Sequence, residues 1–513
     1  MRKILAQATE LVCYDEDVKY YKDEVVFTDQ LQNMIDQASA SEQPVVYLEP
    51  GIFIMDPARP IVLKEGVSLR GYSGQPTILA VQDKNTTASI EVQKENLAWS
   101  IQDIVFENVN VVVNSSTHED ESAVLSNVFM NGGRGSVISE YGRRLHINGN
   151  IFLRDEAHVA TQRNPTYDTT NSGILFQTQK NSVVSNNIFG MDLRAINSLD
   201  PVISQQLEKP LKNLKFIHQC LGRNLADEQG YLSSGVQLYA SNDITIKENI
   251  LNATFPDTKY IAQDHAISVV GSNQTYVYQN FFAGWQIGDF GGAVRFTSAV
   301  DGYFISNYLA NMGLMMYAAA HADYLQVSNM IVHKNFFYHF LGEDVAPVPE
   351  EQRGWLYDGV TFFDFYTARF NNTIRPPIWN SSVPISPWGW HIVVSENKFG
   401  ASEGLDPYLI SMGNLDEREA HIDKKNCFVT EPLVPGSRDA YIVPIIWRES
   451  FEEGLFTKNQ GKIPKKLIKH TDEDLQDQVP AHLRNLHIPS YWKAFTLKNN
   501  TMSMISPHLP CSY

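Results

Sequence analysis

An asparagine set between short apolar segments recurs along the chain and constrains the fold more than any other feature. Each copy has alternating β-forming residues, one or two polar residues, the asparagine and then an apolar pair. The copies place this residue at Asn108, Asn150, Asn187, Asn249, Asn280, Asn307, Asn335, Asn372, Asn397 and Asn426. From Asn249 to Asn335 the copies follow one another at 31, 27 and 28 residues. A repeat of this length is typical of a chain that stacks similar coils.

A second strand precedes the asparagine in several copies, and a glycine or alanine stands 14 residues before it, at Gly173, Gly235, Ala266 and Ala293. Two strands, an asparagine corner and a third strand make one coil, which cannot bury its inward residues alone, so that stacking must supply the core. Asparagine tolerates the left-handed backbone of such a corner, and its amide can bond to the same residue in the next coil. The pattern therefore predicts an all-β protein, a parallel β-helix of three-strand coils.

The longer gap between Asn187 and Asn249 is expected to hold one degenerate coil. In this interpretation KFIHQCLG forms the coil and Cys220 takes the asparagine position. Widely spaced Cys13, Cys220, Cys427 and Cys511 show no spacing typical of a metal site.

The two ends differ from the repeat. The segment Thr28–Ala40 predicts a helix with Thr28 as its N-cap and with one apolar face, formed by Leu31, Met34, Ile35 and Ala38. Such a helix would cap the solenoid and cover its unpaired strand edges. After about Val429 the repeat stops. We therefore expect three parts: residues 1–43 with the cap helix, the β-helix over 44–430, and an irregular tail over 431–513 that packs on it.

Composition narrows the function. Lys and Arg number 41 against 58 Asp and Glu, a formal net charge of −17, which disfavours nucleic acids and anionic membranes as partners. No stretch approaches the roughly 20 apolar residues of a membrane span, so we expect a soluble protein. The first residues lack a recognisable secretory signal, so the protein stays inside a cell, has lost a signal, or is exported by another route.

No cofactor is expected from the motifs. The sequence has no EF-hand loop, dinucleotide fingerprint or phosphate loop, and calcium held by carboxylates is the open alternative. A homo-oligomer is also left open, because nothing in the sequence reports an interface.

The cap segment, the strand PVVYLEPGIF, the first coil GVSLRGYSG and the asparagine repeats together resemble the right-handed parallel β-helix superfamily over about residues 28–430. Pectate lyases, other polysaccharide-cleaving enzymes and viral tailspikes have this fold. Residues 291–309, GGAVRFTSAVDGYFISNYL, are similar to a segment of the alginate lyase and chondroitinase B family, whose Lys-Ser and Arg-His-Gly signatures are not matched in the preceding coils. The resemblance implies a glycan substrate.

Outward side chains of successive coils should form rows, because neighbouring strands are about 4.8 Å apart. Aligning the first strand of each coil places outward Gln237, Tyr239, Ser268, Val270, Arg295, Thr297, Thr361 and Phe363. Just before these strands come Asp264, His265, Asp289, Tyr357 and Asp358. We therefore predict a cleft on this side of the solenoid.

Two reactions suit such a cleft. Glycoside hydrolysis needs two carboxyl groups, one protonated and one ionised, and Asp264, Asp289 and Asp358 are the candidates, with Asp364 in reserve. Repulsion between stacked carboxylates would raise the pKa of one of them. β-Elimination on a uronate polymer would instead use His265, Tyr357 or Tyr239 as the base and Arg295 to neutralise the sugar carboxylate.

The remaining candidates would bind substrate: Gln237, Tyr239, Trp355, Tyr357 and His321. Aromatic rings in loops can stack on sugar faces. We favour a glycoside hydrolase slightly over a polysaccharide lyase, and the acidic composition favours a neutral glycan. A non-catalytic glycan-binding or structural solenoid, as in a viral spike, is the third alternative.

Overall fold

The computed structural model describes most of the first two thirds of the chain and short segments of the rest. The described residues are 20–21, 24–42, 44–72, 75–83, 85–93, 97–114, 121–154, 172–191, 205, 207–220, 232–253, 265–285, 292–310, 312–318, 327–339, 360–364, 389–395, 397–401, 410–413, 428–429, 441–442, 454–457, 460–461, 495–498 and 501–502. The chain divides into two compact units. Unit 1 comprises Met1–Pro165 with Asn186–Tyr231, and unit 2 comprises Thr166–Ser185 with Leu232–Tyr513.

Unit 1 contains three parallel sheets and both helices of the described residues, α1 (Glu24–Ala38) and α2 (Glu208–Cys220). We name the sheet before the asparagine corner B, the sheet after it A, and the third sheet C. Sheet A contains β1 (Tyr20–Tyr21), β3 (Gly51–Ile54), β6 (Thr77–Ala80), β9 (Ile104–Glu107), β12 (Val128–Met130), β15 (Ile151–Leu153) and β18 (Ile188–Gly190). Sheet B contains β2 (Val45–Tyr47), β5 (Ser68–Arg70), β8 (Ser100–Gln102), β11 (Ser122–Leu125) and β14 (Leu145–Asn148). Sheet C contains β4 (Ile61–Leu63), β7 (Ala88–Gln93), β10 (Val109–Asn114) and β13 (Gly135–Glu140).

Unit 2 has the same three-sheet plan. Its sheet A contains β21 (Ile250–Ala253), β24 (Phe281–Gly284), β27 (Tyr308–Ala310), β30 (Phe336–His339), β33 (Lys398–Ala401), β38 (Gln460–Gly461) and β40 (Thr501–Met502). Its sheet B contains β17 (Lys180–Ser185), β20 (Asn242–Lys247), β23 (Asn273–Tyr278), β26 (Val300–Ile305), β29 (Val327–His333), β32 (Gly389–Ser395), β37 (Gly454–Thr457) and β39 (Phe495–Lys498). Its sheet C contains β16 (Ser172–Gln177), β19 (Ser234–Tyr239), β22 (His265–Val270), β25 (Gly292–Thr297), β28 (Leu314–Ala318), β31 (Val360–Asp364) and β34 (Ile410–Gly413). A short antiparallel pair joins β35 (Phe428–Val429) to β36 (Tyr441–Ile442).

These parallel sheets confirm the parallel β-helix fold. Residues alternate across each strand, so every second side chain faces the interior. In unit 1 the inward rings of Phe106, Phe129, Phe152 and Phe189 form one stack, with neighbouring centroids 4.8, 5.1 and 4.7 Å apart. Each ring contacts the ring one coil away, so the core depends on coil stacking.

The asparagine corners join coil to coil as expected. In unit 2 the side-chain nitrogen of Asn280 donates to Oδ1 of Asn307 at 3.1 Å, and Asn249 donates to Asn280 in the same way at 3.0 Å. The series continues to Asn335 and Asn397. Each of these amides is buried and also donates to a backbone carbonyl of the coil on its other side, so these polar groups are satisfied away from water.

A second corner, between sheets C and B of unit 2, uses serine. The backbone N–H of Gln179 donates to the hydroxyl of Ser241 at 3.2 Å, and the N–H of Ser241 donates to the hydroxyl of Ser272 at 3.1 Å. Each serine hydroxyl in turn donates to the carbonyl two residues earlier. This corner was not predicted, although the tripeptides Ala-Ser-Asn (240–242) and Gly-Ser-Asn (271–273) follow strands β19 and β22.

The cap helix differs in its start from the prediction. Helix α1 begins at Glu24, so Thr28 lies inside it and is not the N-cap; its buried hydroxyl accepts a hydrogen bond from the N–H of Asp56 at 2.9 Å. Leu31 and Ile35 are fully buried, but Met34 is 44% exposed and does not belong to the apolar face. The earlier start adds Phe27 to that face, where it stacks on Phe53.

The predicted degenerate coil is wrong. Residues of KFIHQCLG belong to α2, and Cys220 is its last residue. This part of the chain has buried residues at helical spacing, namely Leu207, Leu211 and Leu214, a period that differs from the alternation of strands.

Lys209 of α2 donates a hydrogen bond to the carbonyl of Tyr72 at 2.9 Å. Burial lowers the pKa of this lysine, while nearby Asp103 raises it.

Two corner assignments change. Asn108 does not join the ladder, because it follows β9 of sheet A and lies between sheets A and C. Its place belongs to Asn127, whose side-chain nitrogen donates to Oδ1 of Asn150 at 3.1 Å. The motif SNVF at Asn127 was overlooked in the sequence. Asn372 and Asn426 lie outside the described residues.

Strands continue beyond the point where the sequence repeat ends. Within 431–513, β37 and β39 extend sheet B of unit 2, and β38 and β40 extend its sheet A. The division into three parts stays a prediction.

Neither of the two described helices is long and apolar enough to cross a membrane.

We predict that Asn280→Ala destabilises the protein by about 2 to 4 kcal/mol, because it leaves several buried partners, including the N–H of Asn249 and the carbonyl of Ile246, without a hydrogen bond. Urea unfolding followed by circular dichroism measures the effect. The control is Gln279→Ala, which truncates an exposed side chain beside it and should change stability by less than about 0.5 kcal/mol. Equal effects of the two variants would show that the ladder is not a main source of stability.

Candidate functional site

A row of polar side chains crosses three neighbouring strands of sheet C in unit 2. Backbone pairing places Gln237 of β19 beside Ser268 of β22, and Ser268 beside Arg295 of β25. Nη2 of Arg295 donates to Oγ of Ser268 at 3.1 Å. Nε2 of Gln237 donates to Oγ of Ser234 at 3.2 Å. The predicted alignment of these three strands is confirmed by the pairing.

The alternate positions of these strands carry the core. These residues are Val236, Leu238, Ile267, Val269, Val294 and Phe296, all fully buried. The row therefore lies on the outward face of the sheet. We call the outward positions Gln237, Tyr239, Ser268, Val270, Arg295, Thr297 and Met315 the sheet C face.

Only two members of this face reach solvent. Arg295 and Tyr239 are partly exposed, and the other five are buried. Tyr239 lies two strands and two residues away from Arg295, which corresponds to about 12 Å between their Cα atoms from strand spacing and rise. A cation and a phenol thus project from a largely buried surface, and partly exposed Gln177 of β16 lies beside Tyr239.

Gln237 is placed differently from the prediction. It faces outward but is 0% exposed, and its Oε1 accepts no hydrogen bond from the described residues. Oγ1 of Thr297, also on this face, is likewise buried and has no hydrogen-bond partner among the described residues. Buried acceptors of this kind are costly unless water or a ligand satisfies them. Direct substrate contact by Gln237 stays a prediction.

His265 begins β22 and is 1% exposed, so its imidazole does not lie open in a cleft. It shares the side of the strand of Ile267 and Val269, which face the core, because residues alternate along the strand. The sequence alignment had grouped His265 with the outward residues because it directly follows Asp264. A role in proton transfer stays a prediction.

Gly292 provides the space that His265 occupies. The two residues are paired on neighbouring strands, and a Cβ at Gly292 would lie 2.8 Å from Cδ2 and 2.9 Å from Nε2 of the imidazole. Gly292 also has a backbone φ of 146°, which residues other than glycine rarely adopt. This contact accounts for the second glycine of GGAVRF.

One strand of this face was missed. β28 lies between β25 and β31, so Met315 separates Arg295 from Thr361. The segment LMMYA lacks the polar alternation of its neighbours and was not recognised as a strand. Strands β25 and β31, which follow Asp289 and Asp358 in the chain, are therefore separated by β28. The sequence pattern had implied that these two strands are neighbours.

Six of the predicted site residues lie outside the described residues: Asp264, Asp289, Asp358, His321, Trp355 and Tyr357. The reserve candidate Asp364 ends β31. Their roles stay predictions from the sequence.

The described residues contain no group of three or more His, Cys, Asp or Glu side chains able to hold a metal ion. Calcium binding by residues elsewhere in the chain is untested, and so is the expectation that no cofactor is needed.

Comparisons with known proteins concern the fold. No family model matches the sequence, and no curated protein matches it. Among solved structures, the surface adhesin PfbA of Streptococcus pneumoniae is 11% identical with a TM-score of 0.44, over 77% of this chain and 88% of that one. The mannuronan C-5 epimerase AlgE4 A-module of Azotobacter vinelandii is 11% identical with a TM-score of 0.39, over 75% and 91%. DFA-IIIase from Arthrobacter chlorophenolicus A6 is 10% identical with a TM-score of 0.40, over 86% and 92%. Likenesses at this level say nothing about the chemistry of this chain.

We predict that Gly292→Ala destabilises the protein by about 2 to 4 kcal/mol, because the added Cβ cannot coexist with the imidazole of His265 and the backbone is strained. Removing the imidazole in His265→Ala/Gly292→Ala should recover about 1 kcal/mol relative to the sum of the single variants. Thermal unfolding of the four proteins measures this coupling. Strictly additive losses would contradict the contact.

Proposed function

We propose that this protein is a carbohydrate-active enzyme that binds a polysaccharide or oligosaccharide on the sheet C face and cleaves it. The observation that carries the proposal is the projection of Arg295 and Tyr239 from a largely buried outward surface. Arg295 lies beside fully buried Ser268, and the partial burial of its charge has a free-energy cost that contact with a ligand can offset.

Sugars suit the groups of this face. A guanidinium has five donors for sugar hydroxyl or carboxylate oxygens, and a phenol can both donate and accept. Arg295 and Tyr239 are close enough across three strands for their side chains to contact one sugar residue or two neighbouring residues of a glycan chain. The similarity of residues 291–309 to the alginate lyase and chondroitinase B family supports the same substrate class.

The favoured chemistry is hydrolysis by a pair of aspartates among Asp264, Asp289 and Asp358. One carboxylic acid would protonate the glycosidic oxygen, and the other, ionised, would attack the sugar or activate water. These aspartates precede strands β22, β25 and β31 of sheet C in the chain. The support for this assignment is their sequence position.

β-Elimination is the second candidate, and the partial exposure of Arg295 and Tyr239 favours it. The phenol of Tyr239, once ionised, would remove the proton α to a uronate carboxylate while Arg295 neutralises that carboxylate. The bond to the leaving oxygen then breaks as the carbon–carbon double bond forms, and that oxygen takes a proton from the phenol of Tyr239 or from water. Buried His265 suits the base less well.

The first functional prediction concerns the aspartates. We expect at least one of Asp264→Asn, Asp289→Asn and Asp358→Asn to lower kcat by about 10²-fold or more, because a catalytic proton transfer contributes that much. The assay incubates the protein with neutral and uronate-containing glycans and follows reducing ends together with the ultraviolet absorbance of unsaturated products.

The matched control is Asp243→Asn, which changes a partly exposed aspartate on sheet B of unit 2 and should leave kcat unchanged. Reducing ends without new absorbance would support hydrolysis. Both signals together, with all three aspartate variants at full rate, would replace hydrolysis by elimination. Silence on the whole panel would favour a non-catalytic glycan-binding or structural solenoid.

The second functional prediction separates the two reactions. If elimination occurs, Tyr239→Phe should lower kcat by about 10² to 10⁴-fold, because the base is lost while the ring remains. If hydrolysis occurs, the same variant should change mainly KM. Steady-state kinetics with the best substrate of the panel decides between them, and a variant with unaltered kcat and KM would remove Tyr239 from the site.

A further inference from the structure

Ser268 makes a contact that distinguishes it from the two buried corner serines of unit 2, Ser241 and Ser272. Its hydroxyl accepts a hydrogen bond from Nη2 of Arg295 at 3.1 Å, and its side chain is 0% exposed. Ser241 and Ser272 are also buried, but they bond to backbone groups at a corner between sheets. Ser268 instead bonds to a charged side chain that reaches solvent on the sheet C face.

The hydrogen bond restrains the direction of the guanidinium. Arg295 and Ser268 are paired residues on adjacent strands, so the bond draws Nη2 across the sheet towards β22. An arginine side chain otherwise has many rotamers, and ordering such a side chain on binding costs affinity. An acceptor that is itself buried in a strand is a rigid anchor. It restrains the Nη2 group and thereby the orientation of the whole planar guanidinium.

We infer that Ser268 is a positioning residue, which holds Arg295 in the orientation that contacts a glycan oxygen. This inference rests on the proposed function of the sheet C face. Ser268 acts through Arg295 and does not itself touch the substrate. Its contribution is to binding, so its loss weakens binding more than it slows the chemical step.

The kinetic test uses Ser268→Ala, which removes the acceptor, and Ser268→Thr, which keeps it. Ser268→Ala should raise KM, and the dissociation constant of the same glycan measured by calorimetry, by about tenfold, the scale of one hydrogen bond to a charged group. Ser268→Thr should restore most of the loss. Ser272→Ala, which removes another buried serine hydroxyl of the same coil, should leave both constants unchanged.

The dependence on Arg295 is tested in a double variant. In an Arg295→Ala background, Ser268→Ala should have no further effect on glycan affinity, because the group that it positions is absent. An additional tenfold loss in that background would overturn the inference. So would equal affinities of Ser268→Ala and the unaltered protein.

A second measurement needs no substrate. Phenylglyoxal modifies arginine side chains, and mass spectrometry of the peptides gives the rate at Arg295. This rate should rise at least threefold in Ser268→Ala and return in Ser268→Thr, because a freed guanidinium is more accessible. Arg59 in unit 1, half exposed and paired with Asp29, is the internal reference and should react equally in every variant.

The two measurements separate the two hypotheses. A faster reaction of Arg295 in Ser268→Ala, with no glycan bound or cleaved by any protein, would support the positioning contact and reject the proposed function. An unchanged reaction rate with unchanged glycan affinity would reject the role of Ser268 and leave the proposed function standing.

Discussion

The hydrogen bonds between asparagine side chains of successive coils are the interaction on which the rest of the structure depends. Each buried amide, such as that of Asn280, bonds to the next asparagine and to the backbone of the coil on its other side. A coil of three short strands has too little interior to fold alone. The ladder satisfies polar groups at the corner between sheets B and A while it brings inward side chains into contact, as in the phenylalanine stack of unit 1.

The same stacking builds the candidate site. Once the corner holds neighbouring coils in register, Gln237, Ser268 and Arg295 lie side by side without any local sequence relation among them. The serine corner at Ser241 and Ser272 stabilises the end of the same strands. Rigid strands therefore hold polar groups that are about 30 residues apart in the chain. A face built in this way can keep a buried acceptor and a partly exposed cation within hydrogen-bond distance, as Ser268 and Arg295 show.

Much of the architecture could be predicted from the sequence, because the asparagine repeat reports the coil length directly. The alignment of Gln237, Ser268 and Arg295 followed from the constant distance between each strand and its corner. Features outside the repeat were harder to predict from the sequence. The strand β28 has no polar alternation, and helix α2 interrupts the repeat with a different apolar period.

Side-chain burial could not be predicted either. Alternation indicates which face of a strand a residue occupies, but it does not indicate whether another part of the chain covers that face. Gln237 faces outward and is fully buried, and His265 fills the space above Gly292. Alternation places His265 on the inward side, but the space for its imidazole depends on Gly292 of the next coil, which the pattern of a single strand does not contain.

A crystal structure of the protein with a bound oligosaccharide, chosen as the best ligand of the glycan panel, tests the central claim most directly. The account predicts sugar density over the sheet C face of unit 2, with both Arg295 and Tyr239 in contact with the sugar. An oligosaccharide bound at another surface, with both side chains free of sugar, would contradict it.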